Sequence, residues 1–169
     1  MEHADVKILS GKGVLCVDDN PVNMYILELN FRCLGAKVIC AENGEEALSR
    51  FNNDVELVVS DIQMPIMDGN ILAKQLKLMS PKTPIVSYSC SDIPVSREYF
   101  NNNLKKPFSK ENLLNIVFSN IPLEQMFGQV YKDILVNSSD LLEEDSENKF
   151  KDSILPQIKQ HILEQCIAL

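Results

Sequence analysis

The stretch Val55–Gly69, VELVVSDIQMPIMDG, decides how this chain is read. Leu57, Val58 and Val59 form a short apolar run with two β-branched residues, the composition of a parallel strand buried on both faces. The run stops abruptly at Ser60-Asp61, so a carboxylate stands at the carboxyl end of a strand, the rim where open α/β sheets bind ligands. Pro65 and the Asp68-Gly69 pair then mark a turn before the next helical pattern. A lone Asp at such a place reads first as a turn or helix cap, and the rest of the chain has to argue for anything more.

Upstream, Gly13–Val17 (GVLCV) is another short apolar run, and it too ends in acid, Asp18-Asp19. Asn20-Pro21 opens a helix, with Asn as N-cap and Pro at the first helical position. Val22, Ile26, Leu29 and Cys33 keep helical spacing up to a stop at Gly35. Lys37–Ala41 reads as a strand, and Asn43-Gly44 leads into a helix through Ala47, Leu48 and Phe51. Downstream, a helix is predicted over Ile71–Met79, closed by Pro81 and Pro84, and then a fourth strand, Ile85–Tyr88, that ends in Ser89. A weak fifth strand around Leu104 meets Lys106-Pro107-Phe108. Ser109 caps a helix in which Leu113, Leu114, Val117 and Phe118 share one face. Five strands alternating with helices predict right-handed crossovers and a parallel sheet with helices on both faces.

Between the fourth and fifth strands this pattern breaks down. Ser89 and Lys106 are 17 positions apart, and a βα crossover needs a dozen or more connecting residues before any strand is counted. Pro94 removes a backbone donor in the middle, and Asn101-Asn102-Asn103 favours a turn. The segment Cys90–Asn102 is therefore predicted to be an irregular, mobile loop with at most a turn or two of helix around Ser96–Phe100.

From Pro122 the character changes again. Residues 122–169 carry nine acidic and four basic side chains. Leu123, Met126, Phe127, Val130, Tyr131 and Ile134 recur at helical spacing, and a second stripe, Leu155, Ile158, Ile162, Cys166 and Leu169, follows an acidic stretch from Ser138 to Asp152. The reading is a domain over 1–121 and an acidic helical extension over 122–169. Its two stripes would dock on the domain, on one another or across a homodimer.

Composition narrows the class. At 169 residues, 45% hydrophobic and with net charge −8, the chain has the make-up of a globular protein and not of a general nucleic-acid surface. It has neither a signal-peptide pattern at its start nor an apolar run long enough for a membrane span, so no membrane contact is expected. Its five cysteines include no C-x-x-C pair, and three sit in apolar runs. Reduced core thiols in a cytoplasmic protein are the expectation. His3 and His161 are read as solvent-facing, and no basic recognition helix for DNA is present.

If the first and third strands are neighbours, Asp18, Asp19 and Asp61 converge on one rim, although Asp19 and Asp61 are 42 positions apart. Three carboxylates so placed repel one another unless a cation joins them, and oxygen-only ligands at an open rim suit Mg²⁺ or Mn²⁺. Ser89 and Lys106, each ending a later strand, add a hydroxyl and a fixed positive charge. A carboxylate nucleophile, a dication, a hydroxyl and an ammonium are the parts needed to transfer a phosphoryl group.

Over about Gly13–Ile121 the sequence resembles a response-regulator receiver domain of two-component signalling. The resemblance rests on Val17-Asp18-Asp19-Asn20 after the first strand, Ser60-Asp61-Ile62-Gln63-Met64-Pro65 with Met67-Asp68-Gly69 after the third, Ser89 after the fourth, and Lys106-Pro107-Phe108 after the fifth. Asn20-Pro21-Val22-Asn23 and the Asp-Ile-Gln-Met-Pro form are most similar to the receivers of hybrid histidine kinases. The resemblance implies a flavodoxin-like, doubly wound sheet in strand order 2-1-3-4-5. It also implies Asp61 as phosphoacceptor from a histidine kinase or histidine phosphotransfer protein. Mg²⁺ would be held by Asp19, Asp61 and the Gln63 carbonyl, with Asp18 acting mainly through water. Ser89 and Lys106 would bind phosphoryl oxygens, the Lys106-Pro107 bond would be cis, and Cys90 would be small enough to admit the phosphoryl group. Such a protein is no conventional enzyme, catalysing at most its own phosphorylation and dephosphorylation.

Two departures from the family pattern bear on output, namely the short fourth-helix region and Asn103 where an aromatic switch residue is common. Tyr99 and Phe100 are the nearest aromatic stand-ins. The competing reading is a pseudo-receiver that binds partners without phosphorylation; against it, all five site residues are kept. A haloacid-dehalogenase-like phosphatase needs a second Asp two residues after the first, where this chain has Gln63, and a nucleotide-binding redox protein needs a glycine-rich phosphate loop.

Overall fold

The computed structural model describes residues 7–90, 93–126, 156, 159, 160 and 162–164. The elements run β1 (Gly13–Val17), α1 (Pro21–Cys33), β2 (Lys37–Ala41), α2 (Gly44–Arg50), β3 (Val55–Ser60), α3 (Gly69–Met79), β4 (Ile85–Ser89), β5 (Asn102–Lys105) and α4 (Lys110–Asn120). All strand pairs are parallel, as the sequence pattern predicts, and the order is β2-β1-β3-β4-β5, as the family resemblance implies. β3 is central, which accounts for a strand with almost no polar residue before Ser60.

Period-two alternation divides the core. Val14 and Cys16 of β1, Leu57 and Val59 of β3, Val86 and Tyr88 of β4, and Leu104 of β5 pack with Leu27 and Phe31 of α1 and Leu113, Leu114, Val117 and Phe118 of α4. Leu15, Val17, Val58 and Ile85 face the other way, onto Ala47 of α2 and Leu72, Ala73 and Leu76 of α3. The helix starts are the ones the sequence signals except at α3, which begins at Gly69, two residues before the predicted Ile71, because Asp68 caps it. Asn20 accepts from the Val22 and Asn23 N–H groups, Asn43 from Glu46, Asp68 from Ile71, and Ser109 from Asn112 in a reciprocal capping box. Gly35, just past α1, sits at φ +90°, a left-handed conformation that suits glycine.

Among the described residues there is no helix between β4 and β5. Residues 97–99 form a single turn, closed by the Tyr99 N–H on the Ser96 carbonyl. Two polar anchors on α3 hold the connection. The Asn70 side chain accepts from the Ser96 N–H at 2.8 Å, and Lys77 Nζ donates to the Thr83 carbonyl at 2.8 Å and to Asn101 Oδ1 at 3.1 Å. Ile93, Val95, Tyr99 and the buried Phe100 fill the α3 side, so the short connection still covers the core that a helix would cover.

Two further parts join the core, the first not expected from the sequence and the second one of the dockings expected for the apolar stripes. Ile8 and Leu9, ahead of β1, are buried against α1, and the Leu9 N–H donates to the Leu34 carbonyl. Ile162, from the second apolar stripe, is buried in the α1/α4 cluster, with Leu123 in the same cluster and Leu163 and Met126 packed on it. Most of the extension, the acidic stretch from Ser138 to Asp152 included, lies outside the described residues, as do His3, His161 and Cys166. The expectation of core thiols needs correction. Cys16 is buried, and burial pushes its thiol well up, but Cys33 and Cys90 are exposed because they fall at the end of a helix and the end of a strand.

Ending the chain after Ile121 removes Leu123, Met126, Ile162 and Leu163 from this cluster. Burial of two large aliphatic side chains is worth about 3 kcal/mol or more, so the truncated protein should unfold at clearly lower urea than the full chain. Equal midpoints would show that the docked residues contribute nothing.

Candidate functional site

Strand order generates the site. β1 and β3 are neighbours with Val17 opposite Ser60, and the crossovers change direction on either side of β1, which opens a crevice at their carboxyl ends. The first residues past the two strands are Asp18 and Asp61. They are locked in place by backbone bonds: the Asp61 N–H donates to the Val17 carbonyl at 2.7 Å, and the Asp18 N–H to the Ala41 carbonyl at 3.2 Å. Gly69 holds the β3–α3 loop tight, with its N–H on the Ile62 carbonyl. A Cβ there would lie 2.1 Å from the Asp61 carbonyl oxygen, so any side chain at 69 would displace the acid.

The carboxylates of Asp18, Asp19 and Asp61 each place one oxygen within 4.8 Å of the others. Asp18 is 1% exposed and Asp61 7%, whereas Asp19 faces solvent. Asp18 Oδ1 accepts from the Asn20 N–H at 2.8 Å and from Asn23 Nδ2 at 3.4 Å. Asp61 Oδ1 accepts from the Ile62 N–H at 2.6 Å and, at 3.4 Å, from Gln63 N–H. Both second oxygens face one ammonium: Lys106 Nζ donates to Asp18 Oδ2 and to Asp61 Oδ2, each at 2.8 Å. Lys106 follows β5 through a cis Lys106-Pro107 peptide, its own N–H on the Ser89 carbonyl.

Burial raises the Asp18 carboxyl above its ordinary value, against the lowering effect of the Lys106 and Asn20 hydrogen bonds. Burial alone would pull Lys106 down, but its bonds to Asp18 and Asp61 outweigh that and the ammonium ends up raised. Both shifts favour the protonated form, so the ammonium is secure and Asp18 is the group under electrostatic load. With three carboxylates to one ammonium and only oxygen donors, the cluster is chemically suited to a hard divalent cation.

The structure thus brings together Asp18, Asp19, Asp61 and Lys106, and it places Gln63 beside Asp61. Ser89 is buried at the end of β4, but its hydroxyl donates to Asn103 Oδ1 at a long 3.4 Å, and Ser87 Oγ donates to the same oxygen at 3.0 Å. Asn103 is therefore more than a missing aromatic. It is the register partner of Ser87 and gathers both hydroxyls of β4. Tyr99 and Phe100 do not take its place, because they pack on the α3 side of the core. Sequence reasoning missed Tyr88, whose ring lies 4.4 Å beneath Lys106 Nζ, since an aromatic in a buried strand reads only as core.

Comparison with known proteins gives the family. Residues 14–118 match the family model described as the response regulator receiver domain, and the chain belongs to that family. It is 32% identical over 109 residues to the autoinducer 1 sensor kinase/phosphatase LuxN of Vibrio campbellii, a match covering 62% of this chain and 13% of LuxN. It is 33% identical over 110 residues to the two-component response regulator ORR41 of Oryza sativa subsp. japonica, covering 59% of this chain and 87% of that protein. Among solved structures, the response regulator TrrA of Thermotoga maritima in complex with Mg²⁺-BeF superposes with a TM-score of 0.61 at 28% identity, over 65% of this chain and 99% of that one.

Replacing Lys106 by Met leaves Asp18 and Asp61 facing each other without the ammonium. Removing one partner of a buried ion pair costs about 3 kcal/mol or more, and the loss should shrink at lower pH. A carboxyl whose folded pKa is raised favours the fold most when protonated and loses that contribution as pH rises through the folded value. Urea unfolding of Lys106→Met at pH 7 and pH 5 checks this; a pH-independent difference would contradict it.

Proposed function

We propose that this receiver is the phosphoacceptor of a two-component phosphorelay, with Asp61 taking a phosphoryl group from a phosphohistidine on a histidine kinase or histidine phosphotransfer protein. The observation that carries the reading is the single Lys106 ammonium bonded at once to the buried Asp18 and Asp61 carboxylates, at the rim where β1 and β3 end. In the transfer, an Asp61 carboxylate oxygen forms the O–P bond as the N–P bond to the donor imidazole breaks. The imidazole leaves with the bonding pair, and the product is an acyl phosphate. Lys106 moves from a carboxylate oxygen to a phosphoryl oxygen, and the Ser89 hydroxyl turns from Asn103 to another.

Asp19, Asp61 and the Gln63 carbonyl would hold Mg²⁺ or Mn²⁺, with Asp18 acting through water. When bound, the cation supplies charge neutralisation for the incoming phosphoryl oxygens. The acid cluster supports this assignment, and the magnesium complex of TrrA is consistent with it. A pseudo-receiver is the weaker reading, since a binding module has no need to keep a buried lysine aimed at two strand-end acids.

The surface beside the site supports a helical protein donor. Val22, Tyr25, Ile26 and Leu29 of α1 are all exposed, at spacings that put them on one face, and Tyr25 lines an acidic groove with Asp18, Asp19 and Glu28. Ile66, in the β3–α3 loop, is 73% exposed at φ +70°, a strained conformation for a β-branched residue of the kind found at functional sites. Residues 122–169 we assign to an extension of the receiver domain, of which Leu123, Met126, Ile162 and Leu163 belong to the α1/α4 cluster.

Two experiments test this reading. Incubation with a small phosphodonor and Mg²⁺ should add one phosphoryl group by intact mass, and Asp61→Asn should abolish the gain; a gain that persists in the variant would sink the assignment. Leu29→Glu should lower the ratio of transfer from a protein donor to uptake from the small phosphodonor by about tenfold, the scale of losing one apolar interface anchor. An unchanged ratio would remove α1 from the donor interface.

A further inference from the structure

We propose that Tyr88 is a positioning residue for Lys106, its ring forming the platform on which the ammonium is held while it changes partners from carboxylate to phosphoryl oxygen. The inference deepens the phosphoacceptor reading and rests on it for its functional consequence. Tyr88 lies one residue before Ser89 on β4, is almost fully buried, and turns its side chain to the α1/α4 face together with its register partner Leu104. Lys106 stands two residues past Leu104, and its Nζ lies 4.4 Å from the Tyr88 ring centroid, well inside the distance at which an aromatic face attracts a cation. Phe108, two residues further on, meets the Tyr88 ring edge-on at 5.7 Å and 70°, so the ring is itself fixed by a neighbour.

The physical need for a platform comes from the lysine. An ammonium on a four-carbon stem is a point charge with free rotation, unlike a planar guanidinium, and little in its own structure aims it. Here two of its three donors meet Asp18 and Asp61, and both of those bonds are at risk once Asp61 is esterified or a cation occupies the acids. The attraction of the ring face does not depend on which oxygen the ammonium serves. It holds the charge at the rim through the exchange, where an aliphatic side chain would fill the same space without attracting it. The bland alternative is that Tyr88 is core packing and touches Lys106 incidentally.

The test uses the full chain and beryllofluoride as the phosphoryl mimic, titrated by calorimetry in Mg²⁺ buffer. Tyr88→Leu and Tyr88→Met, which fill the site without a π face, should weaken binding about fivefold or more, whereas Tyr88→Phe, which keeps the ring, should stay within about twofold. In a Lys106→Met background, Tyr88→Leu should have no further effect. Equal losses in both backgrounds, or a Phe variant as weak as Leu, would overturn the proposal in favour of packing. Amine labelling with acetic anhydride, read by peptide mass, gives a second measure: Lys106 should react faster in Tyr88→Leu than in wild type or Tyr88→Phe, and equal rates would overturn the proposal. Labelling needs no phosphoryl chemistry. Absence of beryllofluoride binding in the wild type would therefore defeat the phosphoacceptor reading, while the labelling rates would still decide the role of Tyr88.

Discussion

Two buried carboxylates 43 positions apart in the chain, Asp18 and Asp61, share a single ammonium, and most of the molecule can be understood as what makes that arrangement tolerable. Like charges at this range repel, and burial makes each more costly, which is why the Asp18 carboxyl is raised even with Lys106 against it. The sheet imposes the cluster, since β1 and β3 are neighbours and both end at the same rim. Backbone N–H groups from Asn20 and Ile62 share the load, as does the lysine on its aromatic floor. A site held together in this way is chemically suited to a hard divalent cation.

The departure between β4 and β5 shows how a fold can lose an element without losing its core. Asn70 and Lys77, seven positions apart on one face of α3, tie down the connection that replaces a helix, and Phe100 supplies the buried bulk. Asn101 Oδ1 accepts both from Lys77 and from the first N–H of β4, so the loop is bonded into the sheet and not merely laid over it. The change continues into the site. Asn103 stands over β4 as an acceptor for Ser87 and Ser89, so any movement of the Ser89 hydroxyl is an exchange of hydrogen bonds, where an aromatic residue would respond by a change in packing.

On the other face, α1 does two jobs. Its inner side, Leu27 and Phe31, closes the core together with α4, Ile8, Leu9 and Ile162, while its outer side exposes Val22, Tyr25 and Leu29 beside the acids. Among the described residues no helix is long and apolar enough to cross a membrane.

Much of this was legible in the sequence because it is local. Short β-branched runs that end in acid, Asn20-Pro21 and Asn43-Gly44 as helix starts, Asp68-Gly69 as a turn, and Pro94 within too short a connection each act over a few residues, and the strands, most helix starts and the missing helix follow from them. The acids and the lysine were likewise identifiable, since each ends a strand. What only the tertiary structure decided concerns pairs distant in the chain. It joined Lys106 to both Asp18 and Asp61, turned the Ser89 hydroxyl to Asn103, set the Tyr88 ring beneath the ammonium, and gathered Ile8 and Ile162 into one core cluster. A strand pattern states which face a side chain takes but not what stands opposite it, because that depends on strand order and register, which are properties of the assembled sheet.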